Sequence, residues 1–295
     1  MTTPNCNDGS DRPPRLRLDL NFGTVGELPA FSQGPVGDQR TILVAAKAAG
    51  YEGSQGGDPA LSRELGLRHT SGARVNKPGE IGPLAERWKA EGQDCATLHV
   101  AWGIESDAEV DALVREIIAV SRDTGVPLFI ETHRATITQD LWRTVRLVER
   151  HPGVRFNGDF SHWYTGLEMP YGDFLAKLEF AAPALERVRF MHGRLGNSSH
   201  MQMPLDHPSM PAAIEHFREM WTRALLGFLR SAAPGDVFCF APELLAGRYA
   251  PTVRQADGGY SEQSDRWLDA LELCRLATGC FAEAQRRLGP PASRA

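Results

Sequence analysis

Short apolar runs alternate with amphipathic stretches along almost the whole chain. Eight runs have the length and residue types of strands: 16–21 (LRLDLN), 51–55 (YEGSQ), 67–74 (LRHTSGAR), 95–100 (CATLHV), 126–131 (VPLFIE), 154–159 (VRFNGD), 188–192 (VRFMH) and 237–240 (VFCF). The second and third are diluted by Gly and Ser. Between them the apolar period lengthens to that of a helix. Ser106 and Glu109 form a capping box, in which two side chains satisfy the orphan amides of a first turn. Val110, Leu113, Val114, Ile117 and Ile118 then fall at i, i+3, i+4, i+7 and i+8, a single stripe. Leu141, Val145 and Val148 repeat this, as do Ile214, Phe217, Trp221, Leu225 and Phe228. Further helices are predicted near 38–49, 58–65, 79–91, 171–185 and 261–288, the last carrying Trp267, Leu271 and Cys274.

Eight strands, each followed by a helical pattern, predict an α/β protein built as a (β/α)8 TIM barrel. The competitor is an open, doubly wound sheet. Gly23 and Gly26 after the first strand make only G-x-x-G, without the G-x-G-x-x-G spacing and without a strong helix behind it. No long linker interrupts the pattern, so a single barrel domain over 15–288 is expected. Residues 1–14, rich in Pro, Asp and Asn, read as a disordered tail, and 289–295 as a frayed end.

Composition narrows the class. The 295 residues are 42% hydrophobic and 23% charged, ordinary for a globular protein. Lys+Arg 32 against Asp+Glu 37 leaves a net charge of −5, a poor match to nucleic acid. No secretory leader is recognisable, and no run approaches the 18 or so apolar residues of a membrane span. The five cysteines, Cys6, Cys95, Cys239, Cys274 and Cys280, are scattered and form no CxxC pair. They argue against a disulfide framework and a cysteine zinc site, and suit a reducing cytoplasm.

In a barrel the C-terminal ends of the strands converge on one mouth, where catalytic groups gather. The fifth strand ends in Glu131, the sixth in Asp159, the seventh in His192, and the eighth runs into Glu243. Three carboxylates brought into one mouth repel one another unless a cation joins them. Three oxygen donors and one imidazole suit Mn²⁺, with Co²⁺, Mg²⁺ or Zn²⁺ as alternatives. The order Glu131, Asp159-x-x-His162, His192, Glu243 resembles the xylose isomerase-like TIM barrels, above all the branch containing D-tagatose and D-psicose 3-epimerases. The resemblance implies that the four residues hold one divalent metal, that Glu131 and Glu243 act as acid and base, and that His162 contacts the substrate. The chain departs from that pattern at Thr132, where the epimerases have Pro. It departs again at Arg194, which stands only two residues beyond His192. Both departures bear on the substrate more than on the metal.

Moving a hydrogen next to a carbonyl needs a base for the C–H proton and positive charge for the enediolate oxygens. Glu131 and Glu243, on the fifth and eighth strands, would flank a sugar from two sides, so that one removes the proton and the other returns it. The expected activity is therefore a metal-dependent sugar isomerase or epimerase acting on a small carbohydrate. A metal-dependent dehydratase, of the inosose or keto-acid kind, is the alternative. Endonuclease IV-type hydrolysis would need more early-strand ligands than Asp19, Glu52 and His69 provide, and a barrel that merely binds carbohydrate would not need all four ligands. Around the centre, His162, Arg194, His133 and Trp102 are the expected substrate contacts, with Trp163 a weaker one and His99 a core histidine. The loop 196–211, with His200 and His207, is expected to be a lid or wall. A homo-oligomer is possible on the barrel precedent.

Overall fold

The computed structural model describes residues 2–289. After a two-residue strand β1 (Cys6–Asn7), eight parallel strands close into a barrel: β2 (Arg15–Asn21), β3 (Gly53–Gln55), β4 (Arg68–Val75), β5 (Cys95–Val100), β6 (Leu128–Glu131), β7 (Phe156–Asn157), β8 (Val188–Gly193) and β9 (Asp236–Pro242). Closure comes from β9, which pairs in parallel with both β8 and β2. The intervening helices are α1 (Phe22–Val25), α2 (Gln39–Ala48), α3 (Pro59–Glu64), α4 (Ile81–Ala90), α5 (Asp107–Thr124), α6 (Leu141–Arg150), α7 (Ser161–Gly166), α8 (Phe174–Leu185), α9 (Pro211–Leu229) and α10 (Arg266–Leu288). The (β/α)8 barrel is the architecture the pattern predicts.

Strand alternation divides the core in two. Leu20, Leu98, Ile130, Met191 and Phe240 point outward into one large cluster with the helices. Their neighbours Cys95, Phe129, Phe190, Val237, Cys239 and Ala241 form a separate inner cluster along the barrel axis. Two residues further along each strand, the inward positions reach the mouth. That step carries Phe129 to Glu131, Phe190 to His192 and Ala241 to Glu243. The α5 stripe is buried as its spacing requires, with the capping box formed at one end and Gly125, at φ 77°, closing the other.

The structure corrects three boundaries. The N-terminal residues expected as a disordered tail are placed. Cys6 and Asn7 pair antiparallel with Val237 and Asp236 at the start of β9, where β8 has not yet joined the ladder. Asn5 and Asn7 both donate to the Asp236 carboxylate, at 2.7 and 2.8 Å. This strap lies across the floor of the barrel, and its polar composition serves hydrogen bonding rather than solvation. The terminal helix starts at Arg266, not 261, because β10 (Thr252–Arg254) and β11 (Tyr260–Glu262) form an antiparallel hairpin first. Finally, β7 is only two residues long and its register slips, so Asp159 lies beyond the ladder. Of the expected frayed end, only Gly289 falls within the described residues, where it caps α10. No helix among the described residues is long and apolar enough to cross a membrane.

Candidate metal centre at the mouth of the barrel

Glu131, Asp159, His192 and Glu243 are brought together as their strand positions require. Each offers one donor atom, and these atoms all lie within 4.8 Å of one another. Glu131, Asp159 and His192 are buried, and Glu243 is nearly so. The group lies at the base of a cavity of about 460 Å³, whose wall includes Asn21, Gln55, Arg74 and His99 as well as Glu131, His192 and Glu243.

Surrounding polar groups fix the orientation of each donor. The amide of Asn157 donates to Glu131 Oε2 at 3.0 Å and approaches His192 Nδ1 at 3.1 Å. His192 Nε2 faces Gln55 Oε1 at 2.8 Å, and that oxygen also accepts from Asn21 at 2.9 Å. Gln55 is held in turn by its own amide, which donates to Thr97 at 3.0 Å. With the Gln55 oxygen as acceptor, Nε2 carries a proton, and Nδ1 faces Glu131 and Glu243 at 3.3 and 3.6 Å, the nitrogen that would give up its proton to ligate an ion. Asp159 Oδ1 is occupied by the Ser161 amide at 3.1 Å and its hydroxyl at 2.6 Å, which leaves Oδ2 for the centre.

The electrostatics follow from crowding in a dry site. Burial raises the Glu131 carboxyl, but the charge of His192 and hydrogen bonds from His192 and His99 outweigh it and hold the group well below the usual range. Asp159 is likewise lifted by burial and pulled down further by Arg194 and His162. Burial lowers His192 while the charges of Glu243 and Glu131 raise it, with a net rise to about 9. Three carboxylates face the Arg194 guanidinium and a protonated His192, so the centre keeps an anionic excess, and a divalent cation displacing the His192 proton would neutralise it. In donor chemistry and charge the residues fit such an ion.

Arg194 is not a loop residue reaching for substrate from outside. It is fully buried, pairs with Asp159, and contacts Glu243 Oε2 at 2.8 Å. Among the described residues its Nε and Nη1 have no hydrogen-bond partner, and neither does Nδ1 of buried His162. His99, His133 and His162 stand in a row, with ring centroids 4.2 and 3.9 Å apart. Burial and the neighbouring His162 push His133 down to about 3. His99 is not a satisfied core histidine: it lines the cavity and lies 3.0 Å from Glu131 Oε1. Trp102 does not join the group, because its half-exposed ring stacks under Arg74 at 4.1 Å. Trp163 is buried, bonded to the Thr138 carbonyl at 2.8 Å, and serves packing. In the 196–211 loop, Gln202 exchanges two hydrogen bonds with the main chain of Leu245, at 2.9 and 2.8 Å, and so braces the segment after Glu243.

Asn21, Gln55 and Asn157 escaped the sequence reading. Asn21 and Gln55 are the last residues of their strands, so the rule that found Glu131 applies equally to the first two strands. Asn157 precedes the end of its expected strand by two, an inward position.

The chain has a (β/α)8 fold shared with xylose isomerase-like TIM barrel proteins. No family model and no curated protein matches the sequence. Among solved structures, it is similar to a xylose isomerase-like TIM barrel protein from Mycobacterium smegmatis in complex with magnesium (TM-score 0.55, 12% identity, covering 93% of this chain and 98% of that one). It is similar to a D-tagatose 3-epimerase-like protein (TM-score 0.55, 9% identity, 93% and 100%). It is also similar to a probable 3-DHS dehydratase from Bacillus anthracis (TM-score 0.54, 12% identity, 79% and 94%).

Proposed function

We propose that the chain is a divalent-cation-dependent enzyme that isomerises or epimerises a sugar or polyol-derived ketone through an enediolate. The observation that carries this reading is the convergence of Glu131, Asp159, His192 and Glu243 within 4.8 Å at the base of an open cavity. Those four residues would hold the ion, with Mn²⁺ preferred for an oxygen-rich set. When bound, the cation supplies the positive charge that an enediolate requires.

The chain's own groups supply the rest. Glu131, kept anionic by its hydrogen bonds, accepts the C–H proton. Glu243 enters from β9, is the more exposed of the two, and is held by Arg194 and by Asn21 at 3.5 Å. In an epimerisation it first takes a proton from solvent through the cavity and gives it to the carbon from the other side, while Glu131 returns its own to solvent. His162 Nδ1 and the free Arg194 donors meet substrate oxygens, which satisfies atoms otherwise orphaned in a buried site. His133, kept neutral beside them, packs its ring at a tilt of 51° against His162 and fixes it.

Mn²⁺-loaded protein and a panel of ketoses in D₂O test the reading. Deuterium enters the carbon beside the carbonyl, a chelator stops it, and Glu243→Gln slows it by about 10²–10⁴ while the fold persists. Exchange at the wild-type rate in that variant, or none with any ketose, sinks the proposal. A second reading, elimination of water from a keto acid, is supported by one feature. Beside His162 lies a cavity of about 310 Å³ lined by Arg134, Arg248 and His200, suited to an anionic group. A new deoxy-keto or dicarbonyl product would select it.

A further inference from the structure

At the opposite end of the barrel the structure gathers three of the cysteines that the sequence shows as scattered. The sulfurs of Cys6, Cys95 and Cys239 lie within 4.8 Å of one another, and all three residues are buried. Cys95 opens β5, Cys239 lies in β9, and both point to the barrel axis, while Cys6 is delivered by the strap. Buried cysteines alone are ordinary small hydrophobes. Here the surroundings are charged. Arg17 bonds Asp19 twice at 2.8 Å, also pairs with Asp94, and places a buried guanidinium beside the sulfurs. Sulfur contacts from Cys239 and Cys95, helped by Arg17, draw the Cys6 thiol down to about 5 against the effect of burial. Burial keeps Cys95 high, and contact with Cys6 keeps Cys239 high.

We propose that Cys6, Cys95 and Cys239 form a site for one thiophilic divalent cation, Zn²⁺ in chemical class, which fastens the N-terminal strap to the floor of the barrel. Three sulfur donors select a soft ion. Asp19 and Asp94 are balanced by Arg17 and Arg68, so the surroundings are near neutral, and a divalent ion offsets three thiolates better than a monovalent one. The main-chain oxygen of Asp94, which accepts from the Cys6 sulfhydryl at 3.7 Å, is a further donor beside the three sulfurs. Binding requires the sulfurs as thiolates, so it releases protons. Access needs only local opening of the strap, because β1 is two residues long.

Cadmium serves as the probe. Reduced full-length protein titrated with Cd²⁺ develops the ultraviolet thiolate-to-cadmium charge-transfer band with an end-point of about one equivalent. The band persists in Glu131→Gln/Glu243→Gln, which disables the carboxylate end, and disappears in Cys239→Ser. Cys6→Ala, whose change lies on the strap, loses the band while circular dichroism shows the barrel intact. Absence of the band in wild-type protein, even after refolding with Cd²⁺, overturns the proposal, as does its retention in Cys6→Ala. Loss of two titratable thiols on air exposure without any band assigns the trio to redox chemistry and also overturns it.

Discussion

The mouth and the floor of this barrel are built from the same strands by the same alternation, yet one collects carboxylates and imidazoles and the other sulfur and phenyl rings. Within β6, Phe129 is followed two residues later by Glu131; in β8, Phe190 by His192; in β9, Cys239 precedes Ala241, with Glu243 just beyond. The difference is access to water and to a counter-ion. At the mouth a cavity of about 460 Å³ admits both, so charges can gather there. At the floor the strap closes the end, and an ionised carboxylate is costly. Asp19 shows the cost: burial lifts it to about 7 even though Arg17 holds it with two hydrogen bonds. A layer of Phe129 and Phe190 separates the two environments.

That comparison can be broken in order of effect. Beyond the loss in Glu243→Gln, the largest change is expected from Phe190→Ala, which opens the separating layer and costs about 3–5 kcal/mol. It is read as a fall in the urea midpoint at constant slope; a loss near zero would mean that the layer does not divide the barrel. Gln55→Ala frees the His192 ring and is expected to weaken cation affinity at the mouth by about 10–100-fold in calorimetric titration. It leaves cadmium binding at the floor unchanged, and equal losses at both ends would show that the ends are coupled. Asp236→Ala removes the acceptor of Asn5, Asn7 and the Ala233 amide, at 2.7, 2.8 and 2.8 Å. It is expected to cost about 1–3 kcal/mol and to speed proteolysis near residue 8 without slowing deuterium exchange into substrate. The smallest effect belongs to Ser106→Ala, which removes the α5 cap at about 1 kcal/mol and touches neither end. A change in either binding constant there would refute the independence of rim and helix.

Much of the mouth was legible because it depends on two local regularities: strand period and the residue that ends each strand. Glu131, His192 and Glu243 are found from these alone. Asp159 reaches the group although its strand stops two residues earlier, because Ser161 holds the carboxylate. Arg194 was named, but its place inside the cluster was not foreseen, because a residue just past a strand reads as loop. Nothing local reveals that Arg74, on the neighbouring strand, covers the Trp102 ring. His99 was underrated because its partner, Glu131, is 32 positions away.

Alternation and helical stripes depend only on near neighbours and the burial of apolar faces, so the chain by itself determined eight staves, their helices and the four groups at the rim. Contacts between distant residues carry no periodic trace. Only the closed barrel decided that Gln55 would orient His192, that Arg194 would share the carboxylates, and that Cys6 would cross the floor to meet Cys95 and Cys239. Those contacts join segments that packing, not spacing, brings side by side.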